Sequence, residues 1–162
     1  MSVVVRRARP ADAAVLAAVS RAAIEQSAAG HYTPAQRAVW ARRRTEAAHA
    51  RYIEVTVVLV AEAGGEVAGF ASLAVEAVDG LVPGEVDQLF VAPAAGGRGV
   101  ARALLAEIEA VARAAGIRSL VTHASWRAAP VFARRGWRED EVETVAVDGE
   151  ELTRVRMTTE LA

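Results

Sequence analysis

The stretch EVDQLFVAPAAGGRGVAR, residues 85–102, decides how the rest of the chain is read. It passes from an apolar strand through a Pro-bearing turn and a glycine-rich loop into a helix. The apolar run ends at Val91, Pro93 stops the strand, and Gly96, Gly97 and Gly99 let the backbone turn tightly. From Val100 onward, Val100, Leu104, Ile108 and Val111 recur at helical spacing on one stripe. Bare N–H groups feeding a helix N-terminus favour an anion, because unpaired donors and the helix dipole both attract negative charge. Arg98 adds a guanidinium in the same loop. The expectation is a phosphate cradle.

Two common cradles do not fit. A P-loop needs Gly-Lys-Ser/Thr, and this chain has no lysine, all 19 basic residues being arginine. A dinucleotide fingerprint needs a third glycine where Arg102 stands. What the loop resembles is the acyl-CoA motif of the GCN5-related N-acetyltransferases, Gln/Arg-x-x-Gly-x-Gly/Ala. Gly99 and Ala101 match its last two defined positions, and Gly96 departs from the first.

Around this centre the chain divides into short elements. Residues 3–8 suit a first strand, and Asp12 opens a helix bearing Leu16, Val19 and Ala23. Thr33, Pro34 and Gln36 form a capping box at the start of a second helix, which carries Trp40 and fades before Val55. Residues 56–63 and 66–75 are two strands around the hairpin signal Gly64-Gly65. After the central strand, 85–92, comes a helix over 99–115 ended by Gly116. Residues 118–123 then read as a strand and 126–135 as a short helix. Asp148-Gly149 joins strands over 141–147 and 152–158. The order β-α-α-β-β-β-α-β-α-β-β is that of the acetyltransferase family, and ASWRAAPVFARRGW (124–137) is similar to its helix with a Gly-aromatic exit.

The resemblance implies an α/β fold with a mixed sheet, splayed between its fourth and fifth strands, with acyl-CoA in the gap. It implies that backbone at Leu89, Phe90 and Val91 pairs with the pantetheine arm, and that N–H groups from Gly97 to Ala101 hold the pyrophosphate. Gly96, Arg98, Val100 and Arg102 complete the expected cofactor loop, and Ser125 stands where relatives use an asparagine to contact the cofactor. Acetyl-CoA is the expected co-substrate, and the expected activity is N-acetyl transfer to a primary amine of a small molecule or peptide. A non-catalytic acyl-CoA-binding module is the rival.

Composition bounds the alternatives. At 162 residues the chain is most simply one domain over 1–162. A net charge of −1 argues against a nucleic-acid surface, and Arg42-Arg43-Arg44 reads as a solvated helix face. With zero cysteines there is no thiolate chemistry and no disulfide, and the histidines at 31, 49 and 123 are too scattered to suggest a metal. No membrane-spanning run occurs, and Arg6 and Arg7 interrupt any leader-like core, so a cytoplasmic protein is expected. A homodimer is left open.

Amine acetylation needs a neutral amine, and a base matters most for a side-chain ammonium near pKa ~10.4. Glu85 is the first candidate, since it falls where related histone acetyltransferases carry their catalytic glutamate. Asp87 shares its strand face by period-two alternation. His123 closes the fifth strand and is the second candidate. The family's usual acid for the departing thiolate is a tyrosine where this chain has Phe132, which cannot donate a proton. Tyr32, in the loop that covers the acceptor site in such proteins, is the candidate to supply it. Trp40, Trp126 and Trp137 read as core or cleft wall.

Overall fold

A computed structural model describes residues 2–162 as one seven-stranded sheet with helices on both faces. The strands are β1 (Val3–Arg7), β2 (Val57–Ala63), β3 (Glu66–Leu73), β4 (Glu85–Val91), β5 (Ser119–Ser125), β6 (Arg138–Val147) and β7 (Glu150–Glu160). The helices are α1 (Ala13–Ala22), α2 (Pro34–Arg42), α3 (Glu46–Val55), α4 (Val100–Ala114) and α5 (Ala129–Arg134). The sheet order is β1-β2-β3-β4-β5-β7-β6, antiparallel throughout except for β4 against β5. That parallel pair requires a crossover, and α4 supplies it.

Local chemistry sets most of these boundaries. Both hairpins turn on residues with positive φ, +62° and +80° at Gly64-Gly65 and +48° and +86° at Asp148-Gly149. Such turns match the right-handed strand twist. The capping box at α2 forms as its spelling requires. Thr33 Oγ1 accepts from the Gln36 N–H at 3.1 Å, and Gln36 Oε1 accepts from the Thr33 N–H at 2.9 Å.

The single helix expected from Pro34 toward Val55 is instead two. Thr45 starts α3 as a second N-cap, its Oγ1 accepting from the Ala48 N–H at 3.1 Å. The break leaves Arg44 in the turn. Asp12 does not cap α1 through its side chain. Its carboxylate turns back to Arg6 at 2.8 Å and the Arg9 N–H at 2.6 Å, closing a short 3-10 turn ahead of the helix.

The two sheet faces bury different partners. On one, α4 presses Val100, Leu104, Leu105, Ile108 and Ala112 onto Leu59, Ala61, Ala71 and Leu73. On the other, Leu16 and Val19 of α1 pack on Val58, Val60 and Phe70, with Tyr52 and Ile53 of α3 at the margin. Gly69 lets these layers close: a Cβ there would meet the Phe90 carbonyl oxygen at 2.7 Å and Val100 Cγ1 at 2.9 Å. The first turn of α4 is thereby held against β3 and β4, which fixes the glycine loop before it. Among the described residues no helix is long and apolar enough to cross a membrane.

Candidate functional site

β4 and β5 pair only at the start of β4, Glu85 with Val121 and Val86 with Thr122. Beyond that point β4 follows β3 while β5 follows β7, and the two strands part. The β4 edge from Asp87 to Val91 therefore keeps main-chain donors and acceptors with no strand beside them. Two cavities open along this gap. One of about 590 Å³ lies toward the glycine loop and the other, of about 230 Å³, toward β6 and β7. Both are bordered by Trp40, Leu89, Phe90, Ser125 and Ala128, so they meet there.

The larger cavity runs along the β4 edge and the glycine loop. Leu89, Phe90, Val91, Gly96, Gly97, Gly99, Val100, Ala101, Arg102 and Ser125 all line it. Of the loop residues expected there, Arg98 is the exception: its side chain is exposed and forms no part of the wall. Gly97 and Gly99 hold φ of +75° and +78°, and a Cβ at either would project into open space. The first backbone hydrogen bond into α4 is Ala103 N–H to the Gly99 carbonyl at 3.0 Å, which leaves the preceding N–H groups for a ligand. Arg127, Arg134 and Arg135 also line this cavity and were missed in the sequence. They lie far along the chain, in and beside α5, and no loop motif includes them. Arg135 is bound to Glu109, so the other two carry the open charge.

The smaller cavity gathers titratable residues. Glu85 and Asp87 both line it, although the alternation that placed them together does not run the length of β4. Leu73 pairs with Val86 and Ser72 with Gln88, so Asp87 is bulged out of the ladder. Glu85 is buried and its Oε1 accepts from the Val82 N–H at 3.2 Å. Burial pushes the Asp87 carboxyl above its ordinary range, partly offset by the Arg44 cation, the Tyr52 hydroxyl and the His123 ring.

His123 faces the same cavity, and its Nδ1 lies 2.9 Å from Glu143 Oε2. Arg154 Nε donates to that same oxygen at 2.9 Å. Burial works to raise the Glu143 carboxyl, but the hydrogen bonds from Arg154 and His123 outweigh it and hold it below its ordinary value. An ionised Glu143 only accepts, so His123 Nδ1 carries the hydrogen between them. Glu143 sits on β6, in an alternating run with nothing to mark it in the sequence.

Tyr32 is buried at the cavity wall, edge-on to Trp40 with ring centroids 5.4 Å apart. Its hydroxyl donates to the Thr153 carbonyl at 2.7 Å and accepts from the Trp126 N–H at 3.0 Å. Burial raises its pKa, against the opposing pull of the Trp126 N–H. Phe132 is fully buried, edge-on to Trp137 at 4.9 Å. Ser125 Oγ accepts from the Ala128 N–H at 3.1 Å and, among the described residues, donates to nothing.

Residues 28–161 match the acetyltransferase (GNAT) domain family. A solved GCN5-related N-acetyltransferase from Rhodopseudomonas palustris is 36% identical, with 99% of this chain and 97% of that chain aligned at a TM-score of 0.90. The PaiA N-acetyltransferase of Thermoplasma acidophilum, solved with coenzyme A, shares the fold at 19% identity, 99% of each chain and a TM-score of 0.79. YncA of Salmonella typhimurium, solved with acetyl-CoA, shares it at 24% identity, 100% of this chain, 95% of that chain and a TM-score of 0.67. Among curated proteins no significant match was found.

Proposed function

This chain belongs to the GNAT acetyltransferase family, and from that premise we propose that it moves an acetyl group from acetyl-CoA to a primary amine of a small molecule or peptide, within a single domain. Acetyl-CoA-dependent acyl transfer is the family's activity; the acceptor and the roles of the residues are the proposal.

The observation that carries it is the junction of the two cavities at Ser125, one offering free main chain and the other titratable side chains. Acetyl-CoA, when bound, supplies the activated acetyl group and a thiolate leaving group. The N–H groups from Gly97 to Arg102 are suited to its pyrophosphate, because Gly97 and Gly99 leave open space where other residues would project a side chain. The unpaired β4 edge at Leu89–Val91 suits an extended amide-bearing arm, which would add as a strand. Arg127 and Arg134 suit the remaining phosphate charge.

On the other side, Glu85 and Asp87 draw in a cationic amine. His123 takes its proton at Nε2 while Glu143 holds Nδ1 and so the ring's orientation. Glu85 has one carboxylate oxygen engaged by Val82 and acts through charge. Tyr32 has both its donor and an acceptor site engaged, so it braces Thr153 and Trp126. The Ser125 proton is uncommitted and lies at the junction, where a thiolate would need one.

A thiol-release assay with acetyl-CoA across amino acids, polyamines, aminoglycosides and N-terminal peptides tests this. Acceptor-dependent release from at least one class is expected. Folded protein that gains no thermal stability from millimolar acetyl-CoA, and releases no thiol with any class, would overturn it.

A further inference from the structure

Arg44 has no part in the proton transfer just described, yet it stands in the wall of the smaller cavity. Its backbone is fixed in the tight turn between α2 and the Thr45 cap of α3. The guanidinium is held over two rings, 5.3 Å from the centre of Phe90 and 5.7 Å from that of Tyr52. One Nη donates to Gln88 Oε1, and Gln88 is itself anchored on Ser72 Oγ at 3.2 Å. Among the described residues Arg44 enters no ion pair, and its Nε is buried without an acceptor.

Compare the other arginine beside this cavity. Arg154 is matched by Glu143 at 2.9 Å. Arg44 is half-buried, stacked and aimed, and it feels the Asp87 carboxylate through its field without being bonded to any carboxylate. A guanidinium so held is costly unless an anion completes it, and its planar fork fits a carboxylate with two parallel hydrogen bonds. The same cavity carries the opposite sign at Glu85 and Asp87, and Val145, Val147 and Leu152 give it an apolar side. Its volume of about 230 Å³ equals the liquid share of roughly eight waters, enough for a small molecule and not for a folded segment.

We infer that the acceptor is a free α-amino acid with an apolar side chain, its carboxylate held by Arg44 and its amine presented to His123 beside Glu85 and Asp87. The inference rests on the acetyl-transfer reading and narrows it. A polyamine or aminoglycoside would bring a second cation against Arg44. A peptide N-terminus would offer it an amide in place of the carboxylate.

The test compares leucine and phenylalanine with leucinamide and phenylalaninamide as acceptors for the wild-type enzyme, Arg44→Met and Arg44→Lys. The amides have the less basic amines, so any preference for the acids must come from the carboxylate. Wild type should favour the acids by roughly 10- to 100-fold in kcat/KM, the range of a hydrogen bond to a charged group. Arg44→Met should reduce that ratio to about one and Arg44→Lys should keep part of it. Retention of the acetyl-CoA thermal shift in both variants verifies that they fold. Equal use of acid and amide by wild type, or a preference that survives Arg44→Met, would overturn the inference. Calorimetry with leucine and leucinamide in the presence of CoA separates this from failure of the transfer reading. Arg44-dependent leucine binding without thiol release would keep the carboxylate site and sink the transfer. Absence of leucine binding would sink the site.

Discussion

The two cavities on either side of Ser125 are made of different material. The larger lies along a strand edge and a loop of glycines with positive φ, and its chemistry is that of unpaired N–H groups helped by Arg127 and Arg134. The smaller takes its chemistry from Arg44, Glu85, Asp87, His123, Glu143 and Arg154, which come from a turn and four strands. A backbone cradle binds whatever carries phosphate and tolerates change in most side chains around it. A side-chain cavity can be re-specified one substitution at a time, which is how one donor fold can serve many acceptors.

The sharpest way to break this contrast is at His123. His123→Gln is expected to lower turnover by about 10²–10⁴ at saturating acetyl-CoA while leaving acetyl-CoA affinity unchanged. Single-turnover kinetics would show this, and Glu143→Gln should give a smaller loss with a shifted pH profile. If Glu85→Gln gives the larger loss instead, the base is Glu85, and the His123–Glu143 pair is structural.

Acid should strain the side-chain half of the molecule next. His49 of α3 is buried beside Phe70, its Nε2 3.2 Å from Ser20 Oγ. Burial, then the fields of Arg44 and Arg21, lower its pKa from 6.5 to about 4. Its folded pKa lies below the unfolded one, so the unfolded chain binds the proton first. Stability from this group is complete above pH 6.5 and is lost as pH falls toward about 4, for a total of about 3 kcal/mol. Urea unfolding across that window should show the slope, and His49→Phe should flatten it.

The main-chain half is best tested at Gly99. A valine there must adopt φ near +78° and would put its side chain into the space left for phosphate. At acetyl-CoA concentrations near 100 times the wild-type dissociation constant, the stabilisation of about 2.7 kcal/mol should largely vanish. A melting curve with and without ligand reads this directly, and an undiminished shift would move the pyrophosphate elsewhere. Smallest is Tyr32→Phe, which leaves the Thr153 carbonyl and the Trp126 N–H without their partner. It should cost about 1–3 kcal/mol of stability with little change in turnover. Turnover that collapses while the melting temperature holds would make the phenol a proton donor.

How far each half was legible follows from how it is built. The loop of the larger cavity could be read because its glycines, its Pro93 stop and the α4 stripe are neighbours in the chain. Even there, the arginines at 127 and 134 were missed, since nothing local ties them to the loop. In the smaller cavity Glu85, Asp87 and His123 could be named as titratable strand residues. Their partners could not: Glu143 reaches His123 across β7, which pairs with both β5 and β6. Arg44 read as part of a solvated basic run, because the Thr45 cap that ends that run lacks a glutamate or glutamine three residues on.

Sequence alone determined the order of the strands, both glycine hairpins, the Thr33 cap and the helix that follows the glycine loop, though not the division of α2 from α3. These depend on φ, ψ and hydrogen bonds between residues a few positions apart, which the local chain dictates. The parting of β4 from β5 was implied by the family resemblance, but only the tertiary structure decided the bulge at Asp87 and the meeting of Arg44 and His123 around one cavity, with Glu143 bonded to the His123 ring. Those depend on which distant surfaces bury each other and which charges are left facing the space between them, and no stretch of neighbouring residues encodes that.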